Sequence, residues 1–264
     1  MPNYGDPGYW DQRYKEQDGT VFDWLEDYEA IEPLLEDLFV NRDDYSESNT
    51  SWRANIKILN LGCGNSILSE EMYDKGYHQI YNIDISPVVI EQMAKRNAIQ
   101  RPELQWEVMD VRDLKYQTNT FDLIIDKSTI DALLCGDNAF MNTALMMKEC
   151  QRVIKPEGAY MAISYGTPEN RVLHYKRPHL KFNVSTFEIA PEGKKSQDAV
   201  HYVYVCKKQD GADDQCEENW TQVEQQIKKE ENDDLLEDSD DEEEQKTAQN
   251  NQQEIIKDST FVNQ

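Results

Sequence analysis

The chain has 264 residues, of which 38% are hydrophobic and 30% charged, with a formal net charge of −25 at pH 7. That length allows one large domain or two small ones. The acidity argues against direct nucleic-acid binding, which needs basic patches for phosphates, and favours a basic protein partner. The charge is uneven: residues 209–264 hold 19 acidic and 4 basic side chains, so the low hydrophobicity partly reflects a tail. The remaining residues can bury an ordinary core. Five cysteines (63, 135, 150, 206 and 216) form no C-x-x-C pair, so neither a metal site nor a disulfide framework is expected. Reduced thiols, an N-terminus without a signal pattern and the lack of a long apolar run imply a cytoplasmic protein with no membrane span. A monomer is expected.

In chain order, residues 1–40 are aromatic and acidic. Tyr9-Trp10-Asp11-x-Arg13-Tyr14 reads as a helical turn with Trp10, Arg13 and Tyr14 on one face. Such a turn serves either as a cap packing its rings on the core or as a closure over a ligand, where Arg13 meets a carboxylate. A helix follows over 25–40, with Leu25, Tyr28, Ile31, Leu35 and Leu38 near one stripe. Residues 41–54 read as a polar loop, which closes a first segment, 1–54.

The regular part, 55–208, alternates. Strands are expected at 56–61, 79–83, 104–109, 121–125 and 159–164, and helices at 66–75, 87–98 and 139–153. Ser86 starts the second of these helices, with Pro87 at its first position. Strands alternating with helices imply parallel pairing through right-handed crossovers, hence an α/β, doubly wound sheet. Two alternating segments, 182–189 and 199–206, joined by Pro191-Glu192-Gly193, read as two more strands, the last antiparallel. Residues 209–264 form an acidic tail. Glu237-Asp238-Ser239-Asp240-Asp241-Glu242-Glu243-Glu244 repels itself and is read as disordered, with Ser239 in a setting that suits an acidophilic kinase. A weak amphipathic turn at Trp220, Val223 and Ile227 is the exception.

The organising stretch is Lys57-Ile58-Leu59-Asn60-Leu61-Gly62-Cys63-Gly64-Asn65-Ser66, a buried strand, a tight turn and a helix start. Its glycines permit a sharp turn and a close approach of ligand to main chain, and the following helix offers free N–H groups. A plain β–α connection would look the same. Downstream, four candidate ligand groups stand at carboxyl ends of strands, where ligands of open α/β sheets bind: the glycines, Asp84, Asp110 and Asp126. An acid about twenty residues past a glycine turn takes a ribose diol, and Asp84 fits. This holds for a nicotinamide dinucleotide and for S-adenosylmethionine alike. The dinucleotide fingerprint wants a third glycine where Ile67 stands, and Met109-Asp110-Val111 places an acid where an adenine amino group would donate. The combination favours S-adenosylmethionine, against simple capping of the following helices by the two acids.

These motifs resemble those of the seven-β-strand (class I) methyltransferases, and within them a eukaryotic methyltransferase-like group that includes lysine methyltransferases of translation elongation factor 1A. The matching pieces are Tyr4-Gly5-x-x-x-Tyr9-Trp10-Asp11-x-Arg13-Tyr14, Phe22-Asp23-Trp24, Leu61-Gly62-Cys63-Gly64-Asn65-Ser66, Met109-Asp110-Val111-Arg112-Asp113-Leu114, Phe121-Asp122-x-x-x-Asp126-Lys127-x-Thr129-x-Asp131-Ala132-Leu133 and His201-Tyr202-x-Tyr204-Val205-Cys206-Lys207-Lys208. The resemblance covers residues 4–208. It implies a Rossmann-like, seven-stranded, mostly parallel sheet with an antiparallel last strand, and S-adenosylmethionine as cofactor. It implies cofactor contacts at Gly62, Gly64, Asn65, Asp84, Ile85, Asp110 and Val111. It also places Asp126 beside the methionine moiety and closes Trp10 and Arg13 over its carboxylate end. The family usually has glycine where Ser128 stands. The implied reaction is methyl transfer to a lysine amine of a protein, plausibly elongation factor 1A, with Asp126 and Asp131 orienting the amine or relaying its proton through water. Asp131 reads equally as a surface acid on the helix after the fourth strand. The other readings are a methyltransferase for a small molecule and a methyltransferase-fold scaffold that recruits a basic partner through its tail.

Overall fold

The computed structural model describes residues 2–189 and 200–231. The chain divides into two compact units, one through Trp220 and one from Thr221. In the first unit the elements are α1 (Pro7–Gln17), α2 (Tyr28–Asp37), a 3-10 turn (Thr50–Asn55), β1 (Lys57–Leu61), α3 (Leu68–Asp74), β2 (Gln79–Asp84), α4 (Pro87–Asn97), β3 (Gln105–Val108), β4 (Phe121–Lys127), α5 (Thr129–Leu133), α6 (Ala139–Val153), β5 (Ile154–Ser164), α7 (Pro168–Tyr175), β6 (Phe182–Ile189) and β7 (His201–Lys208).

The strands form one seven-stranded sheet in the order β3-β2-β1-β4-β5-β7-β6. Strands β1 to β5 pair in parallel, and β7 runs antiparallel between β5 and β6. This is the doubly wound, mostly parallel sheet that the alternation of elements predicts. In the central strands successive residues belong to two different cores. Phe121 and Ile124 of β4 and Tyr160 and Ala162 of β5 enter one, with Met146, Met147 and Cys150 of α6. Leu123, Ile125, Met161 and Ile163 enter the other, with Tyr28, Ile31 and Leu35 of α2 and Met72 of α3. Covering both faces explains why these strands read as continuous apolar runs.

Departures from the sequence reading are local. Helix α2 starts at Tyr28, because Asp27 caps it by accepting from the Ala30 N–H at 3.0 Å and Leu25 sits outside it at φ 60°. The polar loop 41–54 contains the 3-10 turn, which buries Trp52. Helix α5 is the helix expected after the fourth strand, whereas α7 is an addition to the sequence reading. The largest departure is at residue 209, where a tail was expected to begin: residues 212–220 are helical, with Ala212 and Cys216 buried. The second unit is described only to residue 231 and is helical there, with Val223 and Ile227 buried. Pro191-Glu192-Gly193, Ser239 and the acid block 237–244 lie outside the described residues.

One buried acid ties the helices on the β2 side together. Glu70 of α3, 5% exposed, accepts from Arg96 Nε of α4 at 2.7 Å, from Asn97 Nδ2 at 3.1 Å and from Arg101 Nη1 at 3.3 Å. Its removal leaves the buried Asn97 amide and the partly buried Arg101 without this partner, so Glu70→Ala should cost about 1–2 kcal/mol. Thermal unfolding followed by circular dichroism should show a melting point several degrees lower. An unchanged melting point would mean that the cluster is a surface decoration.

Candidate functional site

The site is built where β1, β2 and β4 end side by side: Leu61 pairs in register with Ile83 on one side and with Asp126 on the other. The chain leaves β1 through Gly62 and Gly64, both left-handed at φ 52° and 51°, a region that residues with a Cβ enter at a cost. Space forbids a side chain as well. A Cβ on Gly62 would lie 2.2 Å from Thr129 Oγ1, and one on Gly64 would lie 2.8 Å from the Tyr14 hydroxyl. Cys63 N–H donates to the Ile83 carbonyl at 2.9 Å and locks the turn against β2. Together with residues 4–24 and the ends of β4 and β5, this elbow bounds a cleft of about 410 Å³.

Asp84, 5% exposed, ends β2 inside this cleft. Its carboxylate accepts the Gly64 N–H and the Ser86 N–H, each at 2.9 Å, which leaves about two acceptor positions free. Burial raises its pKa to about 6, and Asp11 adds to the rise, while the N–H groups of Ser86 and Gly64 act in the opposite direction. Ile85, Met109 and Val111 supply apolar walls of the same cleft.

Asp110 lines the cleft, but it is committed. Arg112 donates to it four times, from its N–H and Nε to Oδ1 at 2.9 Å and from Nε and Nη2 to Oδ2 at 3.1 and 2.7 Å. Burial would raise its pKa, but these bonds and the Arg112 charge outweigh that and hold it below the usual carboxylate range. The four contacts come from three N–H groups, since Nε is shared between the two oxygens, so about one acceptor position is left for an adenine amino group.

The N-terminal segment forms the outer wall. Trp10 lies over Tyr14 with ring centroids 5.8 Å apart, its indole N–H donates to the Tyr4 carbonyl at 2.7 Å, and all three residues line the cleft. Arg13 does not. Its guanidinium lies over the rings of Trp24 and Phe22, at 5.1 and 5.3 Å, and donates to the Tyr9 hydroxyl at 3.0 Å. Arg13 thus clasps the aromatic segment from outside, and its expected place over a bound carboxylate is corrected. Asn65 lines the cleft while holding the end of α1, donating to Gln17 at 2.9 Å and to the Thr20 carbonyl at 2.6 Å.

The two expected catalytic acids are both bound up in structure. Asp126 is 0% exposed and lies behind the cleft wall. It accepts from Thr129 N at 2.8 Å, Ile130 N at 3.1 Å and the Tyr160 hydroxyl at 2.7 Å, and so caps α5. Burial, with Asp131 adding to it, raises its pKa to about 7 against the pull of those donors. Asp131 lines the cleft, but it accepts from Ser164 Oγ at 2.5 Å, Tyr165 N at 3.2 Å, and Arg171 Nη2 and Nε at 2.6 and 3.2 Å. Asp126 is out of reach of a substrate amine, and Asp131 is held as the partner of Arg171.

Between them the structure adds residues that the sequence reading left out. Lys127, 8% exposed, lines the cleft, pairs with Asp23 and donates to the Glu26 carbonyl at 3.1 Å. Ser128 is left-handed at φ 68°, the conformation that glycine adopts freely. Tyr14, Thr129, Tyr165 and Arg171 complete the additions. Tyr14 was visible as the partner of Trp10 on one helical face, and Lys127 as the neighbour of Asp126.

The family follows from this arrangement of elbow, acid and sheet. A methyltransferase-domain profile matches residues 53–253, and the chain belongs to that family. Among curated proteins it is similar to EEF1A lysine methyltransferase 4 of Mus musculus, 34% identical over 176 residues, 63% of this chain and 64% of that protein. It is also similar to the eEF1A lysine and N-terminal methyltransferase of Mus musculus, 34% identical over 163 residues, 61% of this chain and 22% of that protein. The chain therefore spans just under two-thirds of the first relative and about a fifth of the second. Among solved structures, a TehB-like SAM-dependent methyltransferase from Corynebacterium glutamicum shares the fold, with a TM-score of 0.51 at 19% identity, over 77% of this chain and 98% of that one.

The residues present fit S-adenosylmethionine. The glycine cradle that a Cβ would fill, the spare acceptors of Asp84 and the apolar walls at Ile85, Met109 and Val111 match its backbone, diol and base. The raised pKa values also bear on stability. With Asp84 and Asp126 titrating above their unfolded values, the native state binds more protons than the unfolded chain between about pH 4 and 7. Their contribution to stability is therefore full below that window and is lost as pH rises through it. In urea unfolding across this range, Asp126→Asn should flatten the decline. A variant with the slope of the wild type would contradict the assigned burial of that charge.

Proposed function

We propose that the protein transfers a methyl group from S-adenosylmethionine to a lysine side chain of a protein, with translation elongation factor 1A as the substrate. The observation that supports this most is the buried Asp84 carboxylate, held by the Gly64 N–H at the mouth of the glycine elbow with acceptor positions to spare. The kinship to proteins named as elongation factor lysine methyltransferases supports the choice of acceptor. The net charge of −25 suits a basic protein surface.

S-adenosylmethionine supplies a methyl group made electrophilic by its sulfonium. The chain's own part is to bind, to orient and to exclude water. Asp84 as an anion accepts the ribose hydroxyls, and the cradle at Gly62 and Gly64 admits the ligand to the main chain. Tyr4, Trp10, Tyr14 and Trp24 shut the cleft on the N-terminal side. An amine attacks only when neutral. At the mouth the cations are compensated, Lys127 by Asp23 and Arg171 by Asp131, so they do not repel an incoming lysine strongly. With Asp131 paired to Arg171 and Asp126 enclosed, the lysine proton passes to water before attack.

The test is transfer of labelled methyl from S-adenosylmethionine to purified elongation factor 1A, followed by peptide mass spectrometry. Label should appear on a lysine ε-amine. Gly62→Ala, which drives a methyl group into Thr129, should abolish it. Label confined to small molecules in an extract, with none on lysine, would overturn the reading.

A further inference from the structure

The loop after β5 is fixed to an unusual degree for an exposed connection. Asp131 of α5 receives Ser164 Oγ and the Tyr165 N–H, at 2.5 and 3.2 Å. Ser164 Oγ also accepts the Gly166 N–H and Arg171 Nε, both at 3.0 Å. The Tyr204 hydroxyl donates to the Gly166 carbonyl at 2.6 Å. A Cβ on Gly166 would lie 2.2 Å from the Arg171 guanidinium carbon, so the loop is packed directly on that side chain. Five hydrogen bonds thus hold three residues whose central member, Tyr165, is 54% exposed and lines the cleft.

What this rigidity presents is a ring. Tyr165 meets His201 edge to face, with centroids 5.0 Å apart at 86°, and His201 Nδ1 is paired with the Glu26 carboxylate at 2.5 Å. The ring stands next to the end of β4, because Lys127 pairs in register with Ile163, two residues before it. At this point the cleft offers an amine the ring of Tyr165, two compensated cations and, in Asp131, a carboxylate already paired with Arg171. That chemistry suits a lysine that must lose its proton. A carboxylate would hold the ammonium charged, whereas an aromatic face attracts it weakly and releases it as the neutral amine.

We propose that Tyr165 is the seat of the acceptor lysine, its ring lying along the side chain and against the amino group, with Asp131 and Arg171 as the positioning residues that hold it there. The inference rests on the methyl-transfer reading of the cleft and adds to it the residue that receives the amine. The same ring accepts an ammonium that already bears methyl groups, since cation–π attraction does not depend on N–H donors.

The test uses the full chain and calorimetry with two probes. One is S-adenosylhomocysteine. The other is an analogue in which nitrogen replaces the sulfonium sulfur and bears a short chain ending in a primary ammonium. Wild-type protein should bind the second probe more tightly than the first. Tyr165→Ala and Tyr165→Leu should lose about tenfold of that advantage, with S-adenosylhomocysteine affinity unchanged, and Tyr165→Phe should keep it. Asp131→Ala should lose the same advantage while retaining S-adenosylhomocysteine, an outcome that general damage to the fold would not produce. If the Tyr165→Ala and wild-type proteins bind the two probes alike, the inference is overturned while the methyl-transfer reading stands. If folded wild-type protein binds neither probe, that reading falls and the inference with it.

Discussion

The cleft depends on how closely the turn after β1 lies against the turn after β4. Gly62 and Thr129 touch at a distance that leaves no room for a methyl group, and the Thr129 hydroxyl donates to the Leu61 carbonyl at 2.9 Å. Asp126 fixes Thr129 in turn, by accepting its N–H and capping α5. The buried acid that looks like a catalytic group is thus the brace under the floor of the site. Its 0% exposure and its pKa near 7 are consequences of that task. β1, β2 and β4 end side by side above it, and the glycine elbow and Asp84 face a common space.

Around that floor several carboxylates of the N-terminal segment are held by donors of the core. Asp23 takes Lys127 and the Ser66 hydroxyl, Asp11 takes the Ser86 hydroxyl, and Glu26 takes His201. A chain with a net charge of −25 repels itself, and the Asp23–Lys127 pair offsets part of that repulsion where an acidic segment lies across the cleft. The wall's apolar side does the rest, with Trp10 on Tyr14 and Arg13 clasped between Trp24 and Phe22. The outcome is a cleft wall that belongs to the first two dozen residues but is anchored at the ends of β2 and β4.

Much of this was legible in the sequence, and the failures have definite physical causes. The alternation of elements gave the sheet, and glycine spacing with an acid about twenty residues on gave the elbow and Asp84. Asp126 was misplaced because its position at a strand end was weighed without its parity. In β4 it shares a face with Ile124, which points into the α6 side of the core, while Lys127 points the other way. Asp110 carries an ion pair that a one-dimensional reading does not show, because Arg112, two residues on, folds back onto it. Arg13 sits on the expected helical face, but Phe22 and Trp24 arrive from a later loop to claim it. At residues 212–220 the charge content hides Ala212 and Cys216, four residues apart as a helix face requires, whereas Val223 and Ile227 are legible as an amphipathic turn.

The measurement that bears most directly on this account is calorimetric titration of S-adenosylhomocysteine into the wild type and into Asp84→Ala, with melting curves to establish that both are folded. Two hydrogen bonds from the ribose to a buried carboxylate are worth about 2–3 kcal/mol. The account predicts micromolar binding by the wild type that weakens more than tenfold in the variant. Folded wild-type protein that binds nothing, or a variant that binds as tightly as the wild type, would contradict it.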